Sequence, residues 1–276
     1  MSRLPLLKHP MMHFRNKWLN HKCKYAVAPQ GTVIKEIDGV KFPCDFSLGK
    51  RMKSIYFGCY QFEVASIIKK ILKPGGIFID VGANIGYISA IGAAIVGKTG
   101  QVHSFEPVLK HFDYLQKMVQ LNADYRISAN NVALGDIEGS GRITYHRCNI
   151  GGSSMVPGLV PKENAAETFN VEVKRLDKYI KEKQLQRISL IKIDTEGFEL
   201  PVLLGTKSFF DSYVHKGDLP AVIAEVDPYA LKLMGKDPGE LVDFMSNYGY
   251  KSYDICGRCS VNIRKMTKKG DVLFRT

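Results

Sequence analysis

A doubly wound, mostly parallel α/β sheet of seven strands, carrying a small N-terminal β-containing cap, is the fold this sequence predicts. Apolar runs fall at 77–81, 101–105, 188–193 and 221–226, with a further candidate near 130–134. Helical patterns lie between several of them, at 86–96, 108–121 and 199–210. Such alternation means parallel strands joined by crossover helices. Residues 251–255 and 271–275 offer closing strands, expected antiparallel.

Taken in order, the chain opens with a strand-like stretch from Gly31 to about Ser47. Asp38-Gly39 makes a two-residue hairpin turn between 33–37 and 40–46. Residues 61–73 read as a helix, because Val64, Ile67, Ile68, Ile71 and Leu72 share one face, and Pro74-Gly75-Gly76 stops it. The stretch 137–187 interrupts the alternation with two strand-like pieces, 142–146 and 169–175, and reads as an insertion near the ligand-binding edge. The expected organisation is therefore a basic cap over 1–60 and a main domain over 61–276.

Composition excludes several classes. Of 276 residues, 45% are apolar and 24% charged, so neither wholesale disorder nor a collagen-like chain fits. The longest uncharged stretch, 81–97, holds Asn84, Ser89 and four glycines and reads poorly as a membrane span. The first eight residues have too short an apolar stretch for a signal peptide. The expectation is a soluble, cytoplasmic protein. Its net charge of +12 sits at the ends: residues 1–60 hold 11 Lys/Arg against 3 Asp/Glu, and 251–276 hold 7 against 2. Clustered cations suit phosphates or anionic lipid, and equally a solvated surface. Cys256-Gly-Arg-Cys259 is a C-x-x-C with no second ligand pair for zinc, and reads as two unrelated thiols.

The most informative segment is Ile77-Phe78-Ile79-Asp80-Val81-Gly82-Ala83-Asn84-Ile85-Gly86-Tyr87, a buried strand running into a glycine turn and a helix. Glycines there let a ligand approach the backbone. Asp80 lies within the strand, where an unpaired carboxylate would be costly, and Glu106 ends the next strand at the ligand-binding edge. A carboxylate so placed can accept both hydroxyls of a ribose. A nicotinamide dinucleotide usually wants G-x-G-x-x-G, and this turn lacks the middle glycine. S-adenosylmethionine has a ribose, no phosphate and a positive amino group, which suits acids on either side of the glycines.

These residues, together with Phe105-Glu106-Pro107, Asn131-Val132-Ala133-Leu134-Gly135-Asp136 and Leu190-Ile191-Lys192-Ile193-Asp194-Thr195-Glu196-Gly197-Phe198-Glu199-Leu200, resemble the FkbM family of S-adenosylmethionine-dependent methyltransferases. The similarity covers about 60–250. It implies a class I, Rossmann-like sheet in which Asp80, Gly82, Asn84 and Gly86 line the methionine end and Glu106 holds the ribose. Asn131 is expected near the adenine by position alone. The family is associated with O-methylation of hydroxyls on sugars and small molecules.

Methyl transfer needs an acceptor held in line and relieved of a proton. Lys192, Asp194 and Glu196 are spaced by two and share a face while the chain stays extended. Asp194 or Glu196 is the expected base, with Lys192 holding one carboxylate ionised; an ion pair that merely orders the loop would also explain Lys192. Asp194, Glu196, Glu199 and Glu225 offer oxygen ligands to a divalent metal, and their spacing demands none. His146 stands before a loop whose Asn149, Ser153 and Ser154 can hydrogen-bond a hydroxylated acceptor, though a lone loop histidine is more often incidental and Gly-Gly-Ser-Ser is also ordinary loop chemistry; His103 reads as core. After the fourth core strand comes Asp194-Thr-Glu-Gly, unlike the Asn/Asp-Pro-Pro-aromatic motif of amino-methylating enzymes, which tilts acceptance toward oxygen. The expected function is O-methylation of a sugar, glycan or small molecule. Its rivals are RNA methylation through the basic ends and a nicotinamide-dependent oxidoreductase.

Overall fold

The computed structural model describes residues 17, 18, 21, 23–214 and 217–276. After helical residues at 23–25, a hairpin is formed by β1 (Thr32–Ile37) and β2 (Val40–Asp45). Asp38 and Gly39 close it at φ 48° and 92°, the positive values that a tight hairpin turn requires. Helices α1 (Lys50–Tyr56) and α2 (Phe62–Ile71) follow, and α2 buries Val64, Ile67 and Ile68 on its predicted face.

Then the alternation begins: β3 (Ile77–Val81), α3 (Tyr87–Val96), β4 (Gln101–Phe105), α4 (Leu109–Gln120) and β5 (Ile127–Asn130). An inserted sheet is built from β6 (Ala133–Leu134), β7 (Gly139–His146) and β8 (Ala165–Lys174). The main sheet resumes with α5 (Leu176–Glu182), β9 (Ile188–Ile193), α6 (Glu199–Leu204), α7 (Lys207–Tyr213) and β10 (Ala221–Val226). It ends with α8 (Pro228–Leu233), α9 (Pro238–Ser246), β11 (Lys251–Asp254) and β12 (Gly270–Arg275).

Seven strands lie in the order β11-β12-β10-β9-β3-β4-β5. Pairings among β10, β9, β3, β4 and β5 are parallel, and β12 runs antiparallel to β10 and β11, as predicted for the closing strands. Strand order reverses at β3, between β4 and β9, which puts the ligand crevice at the carboxyl ends of those strands.

Alternating side chains feed a core on each face of the sheet. Ile79, Ile191 and Val222 join one, while Phe78, Leu190 and Ile223 join the other. Val40, Phe42, Met52 and Ile55 belong to that second core, so β2 and α1 are packed onto the sheet rather than around a core of their own. Burying Phe42 alone contributes about 1.5–3 kcal/mol to that attachment.

Two expectations are corrected. The single strand expected near 130–134 is two, β5 in the main sheet and β6 in the inserted one, with residues 131–132 carrying the chain between them. The helix expected over 199–210 breaks at Gly205 and Thr206. Gly205 packs so tightly on the next layer that a Cβ would lie 2.0 Å from the Gly135 carbonyl oxygen. His103 is buried against the Tyr179 hydroxyl, 2.9 Å from Nδ1. Cys256 and Cys259 form no disulfide. Among the described residues no helix is long and apolar enough to cross a membrane.

Candidate active site

A cleft of about 890 Å³ opens at the carboxyl ends of β3, β4 and β9. Its floor on one side is the turn after β3, where Gly82, Asn84 and Gly86 stand at φ 76°, 53° and 86°. The Gly82 and Ala83 amides both donate to the Phe105 carbonyl, at 3.0 and 2.9 Å, which ties the turn to the end of β4. At Gly82 and Gly86 the protein's own packing already excludes a side chain. A Cβ on Gly82 would lie 1.9 Å from the Asp194 carbonyl oxygen, and one on Gly86 would meet Leu115 at 2.8 Å.

Glu106 lines the cleft and is buried. Its Oε2 accepts from the Asn84 amide and its Oε1 from the Val108 amide, both at 2.8 Å. Each oxygen keeps a lone pair for a ligand hydroxyl. Beside it Phe105, Val108, Val132, Leu134, Ile143 and Met155 make an apolar wall suited to a flat base. The His111 ring also lines the cleft, and its buried Nε2 has no partner among the described residues.

Two residues predicted for the cofactor stand off the cleft. Asp80 is fully buried and does not line it; it accepts from Ser89 Oγ at 2.6 Å and lies 3.4 Å from Lys192 Nζ. Asn131 lies outside as well, its Nδ2 donating to the carbonyls of Glu106 and Pro107 at 2.9 and 3.2 Å, and so braces the Glu106 backbone. Gly82 and Asn84 do line the cleft, whereas Gly86 serves the packing of α3 on α4.

At the opposite end β9 delivers Lys192, Asp194 and Glu196. Lys192 Nζ sits 3.3 Å from Asp194 Oδ2, and Gln61 Nε2 donates to the same oxygen at 2.8 Å. Burial opposes the Lys192 charge, but Asp194 and Asp80 outweigh it and raise its pKa. For Asp194 burial is likewise outweighed, by Lys192 and Lys269, and its carboxyl is held below the usual range. Asp80 is pushed up by burial, Lys192 only partly offsetting it. The extended run stops short of Glu196, whose φ is 53°, so its carboxylate turns away from Lys192 toward Lys269 Nζ, at 2.5 Å. Burial and then Asp194 push the Glu196 carboxyl up.

Lys269 also lies 2.7 Å from Glu225 Oε2. Oxygens of Asp194, Glu196 and Glu225 all fall within 4.8 Å of one another, so these three could ligate a divalent cation if the Lys269 ammonium moved aside. Glu199 is otherwise engaged. Its Oε1 accepts from the Thr195 amide, Thr195 Oγ1 and the Gly197 amide at 2.8, 3.1 and 3.1 Å, and so shapes the loop. Burial nevertheless pushes its carboxyl up to about 7. A proton therefore binds more tightly in the folded chain than in the unfolded one. The stabilisation is complete below about pH 4.5 and is lost as pH rises through about 7. Urea denaturation of wild type and Glu199→Gln is expected to show a stability difference that changes in this sense across the window; a difference independent of pH would refute it.

The roof comes from the cap and the insertion. Asn84 Nδ2 donates to the Ile150 carbonyl at 2.7 Å. Arg51 lies over the Tyr60 ring, 5.2 Å from its centre, and bonds Asn149. Ser153 lines the cleft, while Ser154 Oγ donates to the Glu196 carbonyl at 2.6 Å. His146 is not on the cleft wall; its Nδ1 accepts from the Cys148 amide. Sequence reasoning missed Arg51, Gln61 and Lys269, which arrive from distant parts of the chain with no local motif to mark them.

Residues 80–252 match the family model described as the methyltransferase FkbM domain. Methyltransferase sdnD of Sordaria araneosa is 29% identical over 186 residues, covering 54% of this chain and 71% of that protein. The AMB antimetabolite synthetase AmbE of Pseudomonas aeruginosa is 26% identical over 183 residues, 55% of this chain but only 8% of that much longer protein. A solved methyltransferase FkbM from Methylobacillus flagellatus aligns with 15% identity and a TM-score of 0.44, over 95% of this chain and 59% of that one. With the family's domain spanning well over half of its length, the chain belongs to the FkbM methyltransferase family.

Proposed function

We propose that this protein transfers a methyl group from S-adenosylmethionine to a hydroxyl of a sugar, glycan or other small-molecule product. The observation that carries this reading is one continuous cleft with a strand-end carboxylate and an apolar wall at one end and half-buried acids at the other. That donor set fits the cofactor: the wall takes the adenine, Glu106 the ribose hydroxyls, and the acidic end the cationic methionine portion. When bound, the cofactor supplies an electrophilic methyl and its own leaving group.

The protein's share is to orient the acceptor and to take its proton. Asp194, held ionised by Lys192, serves best as a fixed negative charge that orients the hydroxyl. Glu196 has the higher proton affinity of the two, and the oxygen that Lys269 leaves free is the one to accept the hydroxyl proton. Lys192 is a positioning residue, held between Asp80 and Asp194.

Incubation with methyl-labelled S-adenosylmethionine and fractionated hydroxylated metabolites and glycans is expected to place label on oxygen. Glu196→Gln should lower kcat about 10²–10⁴-fold, with S-adenosylhomocysteine affinity changed no more than a few fold. Label on nitrogen or carbon, or full turnover by Glu196→Gln, would overturn the assignment.

A further inference from the structure

Residues 17, 18, 21 and 23–25 are helical and carry a face that the catalytic reading does not use. Cys23 points inward, 8% exposed, with its thiol 3.8 Å from Ser54 Oγ. Trp18, His21 and Tyr25 are exposed by contrast, and the His21 and Tyr25 rings lie 4.7 Å apart between centroids. Trp18 is 61% and Tyr25 65% exposed, and Val27, just beyond, is 91% exposed. Lys17 and Lys24 are exposed beside them, and the Lys24 ammonium lies 5.3 Å from the centre of the Tyr25 ring. Lys53 of α1 donates to the Lys24 carbonyl at 3.2 Å, which brings a third cation to the same edge.

We infer that this face docks on an anionic lipid bilayer. Trp and Tyr place an apolar ring in the headgroup layer while their polar atoms stay wet, and lysines beside them reach lipid phosphates and carboxylates. Charge points the same way, since the first sixty residues carry 11 Lys/Arg against 3 Asp/Glu. An exposed aliphatic such as Val27 gains nothing from a nucleic acid, where bases stack on rings, but is buried by a lipid interface. On the proposed function, the surface would hold the enzyme where lipid-linked or membrane-proximal acceptors are made.

Flotation of the full chain with mixed phosphatidylserine–phosphatidylcholine vesicles tests this, against pure phosphatidylcholine vesicles. Partition is expected to be at least about tenfold higher with the anionic lipid and to fall with salt. Trp18→Ser combined with Tyr25→Ser should lower it about tenfold at unchanged net charge. Lys17→Glu combined with Lys24→Glu should do the same, whereas Lys181→Glu with Lys232→Glu, the same charge change at exposed lysines elsewhere, should leave it within about twofold. Equal partition into both vesicles overturns the proposal, as does undiminished binding by the Trp18/Tyr25 variant. So does equal loss in the Lys181/Lys232 control. Retention of single-stranded RNA that anionic vesicles fail to displace would assign the face to nucleic acid instead.

Discussion

Lys192→Met is expected to destabilise the protein by about 3–5 kcal/mol, the range for removing one partner of a buried ionic cluster. Lys192 is 3% exposed and Asp80 fully buried, so neither can fall back on water. Without the ammonium two carboxylates face each other across the gap between β3 and β9, where Asp80 and Lys192 stand opposite in register. Urea denaturation with an unchanged m-value would measure the loss. Adding Asp80→Asn is expected to restore part of it, because that change removes a buried charge while keeping an acceptor for Ser89 Oγ. A loss below about 1 kcal/mol for Lys192→Met, the ordinary size for a surface pair, would show that the cluster is solvated in solution.

Glu106→Gln is expected to weaken S-adenosylhomocysteine binding about a hundredfold or more, the equivalent of two hydrogen bonds to a charged group. The amide that replaces one oxygen also faces a backbone N–H, of Asn84 or Val108, as donor against donor. The turn after β3, tied to Glu106 through the Asn84 amide, is expected to loosen as well. Calorimetry on wild type and variant gives both affinities. A change of less than about threefold would remove Glu106 from the cofactor site.

The main sheet was legible because its strands are short, apolar and punctuated. β3, β4, β9 and β10 begin and end where the sequence predicted. Both sides of each of these strands are buried, which makes the apolar run continuous and its ends sharp. Helices α8 and α9 drew no expectation, although Asp227-Pro228 and Asp237-Pro238 carry the cap and first-turn proline that start them. The acid at the end of β4 was legible because position along a parallel strand fixes which edge a side chain reaches. Asp80 was legible as a charge needing a partner but not as one lying off the cleft, since Lys192, which satisfies it, is more than a hundred residues away in sequence. Nothing local in the chain marks Lys269 either, and its ammonium reaches Glu196 and Glu225 only once β12 has closed the sheet.

The close approach of Gly82 to the Asp194 carbonyl has a consequence for how new substrates are acquired. No side chain fits between them, so the turn after β3 and the loop after β9 are held in direct backbone contact. All tolerance for the size and shape of an acceptor is left to the mouth, where Arg51, Tyr60 and the loop around Ile150 meet from separate stretches of chain. If the proposed function holds, natural or laboratory selection can retune that rim piece by piece while the backbone contact beneath it is kept.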